Sequence, residues 1–256
     1  MSPLKHLTAD TLQVTVLDSR DEMGRAAAAA AADRLRVLLA QQETVNVIFA
    51  AAPSQNETLE YLAQAEGIDW QRVNAFHMDE YIGLPENAPQ AFGRYLDEHI
   101  FCRVPFGKVF RIDPHATDAA AECARYGALL QEYPVDLVCL GIGENGHIAF
   151  NDPWVADFAD SALVKPVPLD PVCRQQQVND GCFAALEQVP THAITLTIPA
   201  LTAAKHMICT VPAATKAWAV ERTVNAEISA QIPATVMRRH PDAWLFCDAD
   251  SGALLK

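Results

Sequence analysis

VDLVCLGIGENGHIAFNDP, residues 135–153, decides how this chain is read. Its first six residues are almost wholly apolar, the pattern of a strand buried on both faces of a parallel sheet. Gly141, Gly143 and Gly146 follow and spell G-x-G-x-x-G, the spacing of a dinucleotide-binding loop. Such a loop must open a helix whose N-terminus meets a pyrophosphate, with an acidic residue about 20 positions further on for the ribose. Here the glycines run into HIAFNDP, and Asn151-Asp152-Pro153 is a turn rather than a helix interior. The glycines are therefore read as turning the backbone sharply and bringing it close to a ligand. His147 is the residue this leaves in focus.

Working outward, TLQVTVL (11–17), VNVIFAAA (45–52), a segment near 72–76, HAITLTI (192–198), HMICTV (206–211) and AWLFCD (243–248) all read as strands. Between them lie helical stretches: an alanine-rich one opened by the capping box Ser19-Arg20-Asp21-Glu22, a second opened by Ser54-Gln55-Asn56-Glu57, and others near 91–101, 119–131 and 213–224. Strands alternating with helices imply an α/β fold, one domain over residues 1–256, with a mostly parallel open sheet covered by helices on both faces in the Rossmann-like manner. Ligands in such sheets bind beyond the carboxyl ends of the strands. The loops carrying Ser54, Gln55 and Asn56, then Asp79 and Glu80, then Asn145, Gly146 and His147, and finally Lys216 should meet at one sheet edge.

Composition narrows the function. A formal net charge of −13 sets a field that repels polyphosphate surfaces, which argues against nucleic acid and anionic membranes as partners. A small anion remains admissible where local cations and backbone N–H groups outweigh that field. The seven cysteines stand singly, with no C-x-x-C pair, and read as free thiols of a reducing compartment rather than a disulfide framework or a zinc site. No secretory signal is visible at the start, and the longest bland run, seven alanines at 26–32, is too short to span a bilayer. The expectation is a cytoplasmic protein, its oligomeric state open and a homo-oligomer included.

His147 lies in a tight polar loop with Asn145 beside it and Asp152 five residues on. Histidine titrates near neutrality and a carboxylate can fix its tautomer, so it suits proton transfer; a structural histidine bonded to its own loop is the other reading. Asp79 and Glu80, in FHMDEYIGLP, leave a strand and enter a turn. Asp79 is the better candidate for a general base, with solvated turn acids as the plain alternative, above all for Glu80.

NAFHMDEYIGLP and GIGENGHIAFNDP in this order, with LDPVCRQQQ and PAATKAWAV behind them, resemble the glucosamine-6-phosphate deaminases (isomerising) of the deaminase and 6-phosphogluconolactonase superfamily. The resemblance implies opening of an amino-sugar phosphate ring, proton transfer between C2 and C1, and release of ammonia, with no metal or organic cofactor. Asp79 would then be the base at C2 and His147 would exchange the ring-oxygen proton. Asp152 stands where the family commonly has glutamate, and Asn145 where some members have aspartate. Arg174 and Lys216 match positions that hold the phosphate, with Ser54, Gln55 and Asn56 in the phosphate loop, and Glu80 and Gly146 are further candidates for substrate binding. Where the family's phosphate loop usually reads Thr-Gly-Gly-Thr, this chain has APSQNET, with bulkier side chains in place of bare backbone. Residues 154–177 are read as a lid. The sister lactonases place Thr-Ala-Ser after the histidine where this chain continues IAFNDP. Beside the deaminase reading stand a sugar-phosphate lactonase using His147 to activate water, and a catalytically silent sugar-phosphate sensor suggested by the altered loop.

Overall fold

The computed structural model describes residues 3–256. Two strands at the start, β1 (Lys5–Ala9) and β2 (Leu12–Val16), form an antiparallel hairpin, and Ser19 then caps α1 (Arg20–Gln41) by accepting a hydrogen bond from the N–H of Glu22. The chain continues through β3 (Val45–Phe49), α2 (Asn56–Ala63), β4 (Val73–His77), β5 (Asp79–Tyr81), α3 (Phe92–Leu96), β6 (Lys108–Phe110), α4 (Ala119–Glu132) and β7 (Leu137–Leu140). After the glycine-rich loop come β8 (Val164–Pro168), α5 (Pro171–Asn179), β9 (His192–Leu196), α6 (Ile198–Thr202), β10 (His206–Val211), α7 (Ala217–Asn225) and β11 (Ala243–Cys247).

Eight strands form one sheet in the order β1-β2-β11-β10-β7-β3-β4-β6, parallel throughout except for the β1–β2 hairpin. Successive residues of its central strands point to opposite layers. Val47, Phe49, Leu137 and Cys139 pack with α1, α2 and α3, whereas Ile48, Val138 and Leu140 pack with α4, α6 and α7. This explains the continuous apolar runs, since both faces of each strand are covered. The alanine run of α1 has the same origin: Ala27, Ala28, Ala31 and Ala32 are buried and small, so the helix lies close on the sheet. Among the described residues no helix is long and apolar enough to cross a membrane, and all seven cysteines are unpaired.

The sequence reading of a single mostly parallel sheet needs one addition. HAITLTI does not join the large sheet; as β9 it pairs antiparallel with β5 on one side and β8 on the other, in a separate three-stranded sheet. Part of the stretch read as a lid is thus strand β8, held in that sheet. The second capping box also differs: Ser54 lies in a short 3₁₀ turn, and Gln55 precedes α2 without a side-chain cap.

Asp242 ties the layers together at the far end of the sheet from the glycine loop. Arg34 of α1 donates to both carboxylate oxygens at 3.0 Å, His206 Nδ1 lies at 2.6 Å and Trp244 Nε1 at 2.7 Å. Burial alone would raise this carboxyl; Arg34, His206 and Trp244 together outweigh it and hold it at about 2. A folded-state value below the unfolded one gives stability that is present above the unfolded pKa and lost as pH falls toward the folded one. Asp242→Asn is expected to cost about 2 kcal/mol at neutral pH and to flatten the acid limb of the stability curve. Urea denaturation across acidic pH checks this.

Candidate active site

The order of the large sheet reverses between β3 and β7: the chain runs outward from β3 to β4 and β6, then returns to place β7 on the other side of β3. Loops leaving neighbouring strands at such a point diverge and open a crevice. A cavity occupies this crevice, and Ser54, Gln55, Asp79, Gly143, His147 and Lys216 all line it. Each of the four strand-exit loops thus brings at least one residue to the cavity, while Asn56, Glu80, Asn145 and Gly146 of the same loops do not line it.

Asp79 is the first residue of β5, and its backbone is fixed by pairing with Thr195 of β9. The same strand holds the histidine loop. Thr195 Oγ1 accepts from the N–H of Phe150 at 3.0 Å, and Asn151 Nδ2 donates to Leu196 O at 2.8 Å. β9 therefore sets the position of Asp79 relative to His147. The Asp79 carboxyl is buried, which raises its pKa well above the usual range, and the neighbouring Glu80 charge raises it further. Among the described residues no side chain or N–H group offsets either effect. A carboxylate in this state binds a proton avidly, as a general base should.

The glycines now have separate reasons. The His147 ring lies directly over Gly143, where an added Cβ would sit 2.1 Å from Cε1, 2.2 Å from Nε2 and 2.3 Å from Nδ1. Gly141 backs onto the β3 loop, its virtual Cβ 3.1 Å from Gln55 Nε2 and 3.3 Å from Ser54 Oγ. Gly146 holds φ at +86°, where side chains are strained. The fingerprint spacing serves an imidazole and a turn, with no helix behind it.

His147 Nδ1 lies 2.7 Å from Asn145 Oδ1 and 3.0 Å from Asp152 Oδ1. Both neighbours are acceptors, so the proton of the neutral ring is assigned to Nδ1 and Nε2 is left as the basic nitrogen. Asn145 Nδ2 donates to the same Asp152 oxygen at 2.9 Å, and the N–H of Asp170 donates to the other at 3.3 Å. Asp152 is fully buried; burial would raise its carboxyl, but the hydrogen bond and charge of His147, helped by Asn145 and the Asp170 N–H, keep it below its ordinary value. An ionised carboxylate behind the ring stabilises the imidazolium formed when Nε2 takes a proton.

Lys216 precedes α7 and is buried at the cavity wall. Burial lowers its pKa, against the charges of Asp180, Glu144 and Cys173. Arg20, Gln176, Gln177, Asp180 and Thr215 also line the cavity and were not singled out in the sequence. Arg20 was legible only as part of a helix cap, and the two glutamines lay inside the stretch read as a lid. The loop around Ala213 is strained, with φ at +81° and its N–H donated to Asp248 Oδ2 at 3.0 Å.

Six expected residues stand outside the cavity lining: Asn145 and Asp152, which contact the His147 ring, and four that are held elsewhere. Arg174 Nη2 donates to Leu186 O and Val189 O, both at 2.8 Å, so this guanidinium braces the turn after α5 instead of facing the cavity. Glu80 caps α3, accepting from Tyr81 N at 2.9 Å, Phe92 N at 3.0 Å and Gly93 N at 2.9 Å; burial still pushes it up to about 7 against those three donors. Asn56 Oδ1 accepts from the Tyr95 hydroxyl at 2.5 Å. Gly146 packs under Ile232, 3.0 Å from its virtual Cβ. For a cation, among the described residues His147, Asp152 and Cys173 bring one donor atom each within 4.8 Å of one another. The first two are already joined to each other, and burial pushes the Cys173 thiol up, so the trio reads first as a proton-handling pair beside a neutral thiol.

A buried carboxyl, a histidine backed by an ionised aspartate, and the cations Arg20 and Lys216 lining the same cavity define an acid–base site for a small anion in a parallel α/β sheet. The chain belongs to the family described as glucosamine-6-phosphate isomerases/6-phosphogluconolactonase, whose model matches residues 18–245. It is 36% identical over 211 residues to a glucosamine-6-phosphate deaminase of Listeria monocytogenes serotype 4a (strain HCC23), covering 82% of this chain and 88% of that protein. The corresponding figures for a glucosamine-6-phosphate deaminase of Streptococcus sanguinis (strain SK36) are 34% over 207 residues, with 81% and 86% covered. Among solved structures, a monomeric glucosamine-6-phosphate deaminase superposes with a TM-score of 0.84 at 26% identity, covering 94% of this chain and 99% of the other. A 6-phosphogluconolactonase from Thermotoga maritima gives 0.75 at 19% identity, with 93% and 99% covered, and shows the shared fold.

Proposed function

We propose that this protein is an amino-sugar phosphate deaminase and isomerase, acting on glucosamine 6-phosphate or a close relative in a reducing cytoplasm. The observation that carries the reading is the pairing, in one cavity, of a buried carboxylate at Asp79 that has no hydrogen-bond partner among the described residues with a histidine, His147, whose Nε2 is left as the proton acceptor. Water activation by a histidine alone would not need the first of these. The sequence similarity to proteins named deaminases supports the same reading, and the unpaired cysteines fit the compartment.

In the proposed course, His147 Nε2 takes the C1 hydroxyl proton and returns a proton to the ring oxygen, which opens the sugar. Asp79 removes the C2 proton while the C1 carbonyl oxygen takes a proton from the C2 ammonium, giving a C1–C2 enolamine; the protonated Asp79 then delivers its proton to C1, leaving an iminium at C2. Water adds at C2 and ammonia leaves, giving the ketose phosphate. Asp152 and Asn145 touch the histidine and act as positioning residues. Purified protein should release ammonia from glucosamine 6-phosphate and hydrolyse 6-phosphogluconolactone no faster than buffer. The reverse pattern would replace this reading with the lactonase one.

A further inference from the structure

A guanidinium from α1, that of Arg20, also reaches the cavity. Arg20 is the first residue of α1, and Gly24 lies one turn later. A Cβ on Gly24 would sit 2.3 Å from Glu57 Cβ and 3.0 Å from the Glu57 carbonyl carbon, so glycine is what lets α1 close on the start of α2. That approach brings Arg20 alongside the β3 loop. Its Nε donates to Glu57 Oε1 at 2.8 Å and its Nη2 to Pro53 O, which fixes the side chain. Nη1 has no hydrogen bond to protein among the described residues, and Arg20 lines the same cavity as Ser54, Gln55 and Lys216.

The loop itself has few donors to offer. Gln55 Nε2 is committed to Thr210 O at 3.2 Å and to Ser54 Oγ at 3.1 Å, while Asn56 faces Tyr95. Lys216 is faced by Asp180 and Glu144, which offset its charge. A phosphoryl dianion beside these acids needs a second cation, and a clamped guanidinium suits phosphate better than a mobile ammonium. Arg174 does not meet that need, because it is outside the cavity lining and its Nη2 is turned to the Leu186 and Val189 carbonyls.

Resting on the functional reading above, we propose that Arg20 grips the substrate's phosphoryl group together with Lys216, and so sets specificity for phosphorylated sugars. Steady-state kinetics with glucosamine 6-phosphate, and calorimetric titration with inorganic phosphate, test this on wild type, Arg20→Lys, Arg20→Met and Arg174→Met. Arg20→Met is expected to raise KM at least about tenfold with kcat within about threefold, and to weaken inorganic phosphate by a similar factor. Arg20→Lys should fall between, and it decides the matter if the methionine variant fails to fold. KM and phosphate affinity within about twofold of wild type in the Arg20 variants would overturn the proposal, as would a tenfold rise confined to Arg174→Met. Phosphate titration does not depend on turnover. A wild type that releases no ammonia therefore counts against the functional reading, while the phosphate affinities still decide for or against Arg20.

Discussion

Asp79→Asn is expected to lower kcat about 10³-fold while leaving the protein at least as stable as wild type. The carboxylate and amide have the same shape, and the β5–β9 pairing that positions residue 79 is made by backbone. What changes is the charge. In the unfolded chain Asp79 ionises at its ordinary acidic pKa; in the folded protein burial and Glu80 raise that value. The folded state then binds the proton more tightly, so ionising Asp79 costs folding free energy progressively as pH rises above the unfolded pKa. An asparagine removes that cost. Melting temperature followed from mildly acidic to neutral pH should fall less in the variant than in wild type. Loss of turnover with retained or increased stability is the signature of a strained catalytic group; turnover within tenfold of wild type would remove Asp79 from the mechanism.

Gly143→Ala is expected to lower kcat by about 10²-fold or more and to cost about 1–3 kcal/mol of stability. The added carbon would lie 2.1–2.3 Å from three atoms of the His147 ring, closer than real contacts allow. The ring must tilt away, and in doing so it gives up the 2.7 Å and 3.0 Å approaches of Nδ1 to Asn145 and Asp152. Both its tautomer and its aim depend on those contacts. Parallel measurement of kcat and of urea unfolding checks this, and an alanine variant of ordinary activity would show that the ring need not lie over residue 143.

The main strands could be read from the sequence because each is buried on both faces. VNVIF and LVCL carry no alternation that could be mistaken for a helix or a half-exposed strand, and the loops leaving them could be located from their glycines and polar residues. The small sheet could not be read in this way. HAITLTI has the same apolar character whether it pairs parallel in a large sheet or antiparallel in a small one, and β8, VKPVP, carries two prolines that argue against a strand. Its edge position in the small sheet, bonded to β9 alone, is what tolerates them.

At the site, His147, Asn145 and Asp152 are within seven residues of one another, so their association was local and legible. Arg20 is 33 residues from Pro53 and 37 from Glu57, the partners that aim it, and its role depends on a helix–helix approach set by Gly24. Arg174 shows the opposite failure: a cation in the expected segment turns its Nη2 to two backbone carbonyls outside the cavity lining. Whether a cation is free is a property of its surroundings, not of its place in a motif.

The central claim is that Asp79 moves a proton at C2 of an amino-sugar phosphate. Proton NMR of glucosamine 6-phosphate with the wild-type protein in D₂O tests it most directly. The account predicts that the C2 proton signal disappears and that deuterium enters at C1 of the ketose product as ammonia is released. Ammonia release with the original C2 proton delivered wholly to C1 would still fit one base acting on both carbons. A C2 proton that persists unchanged in recovered sugar, with no ammonia formed, would contradict the account.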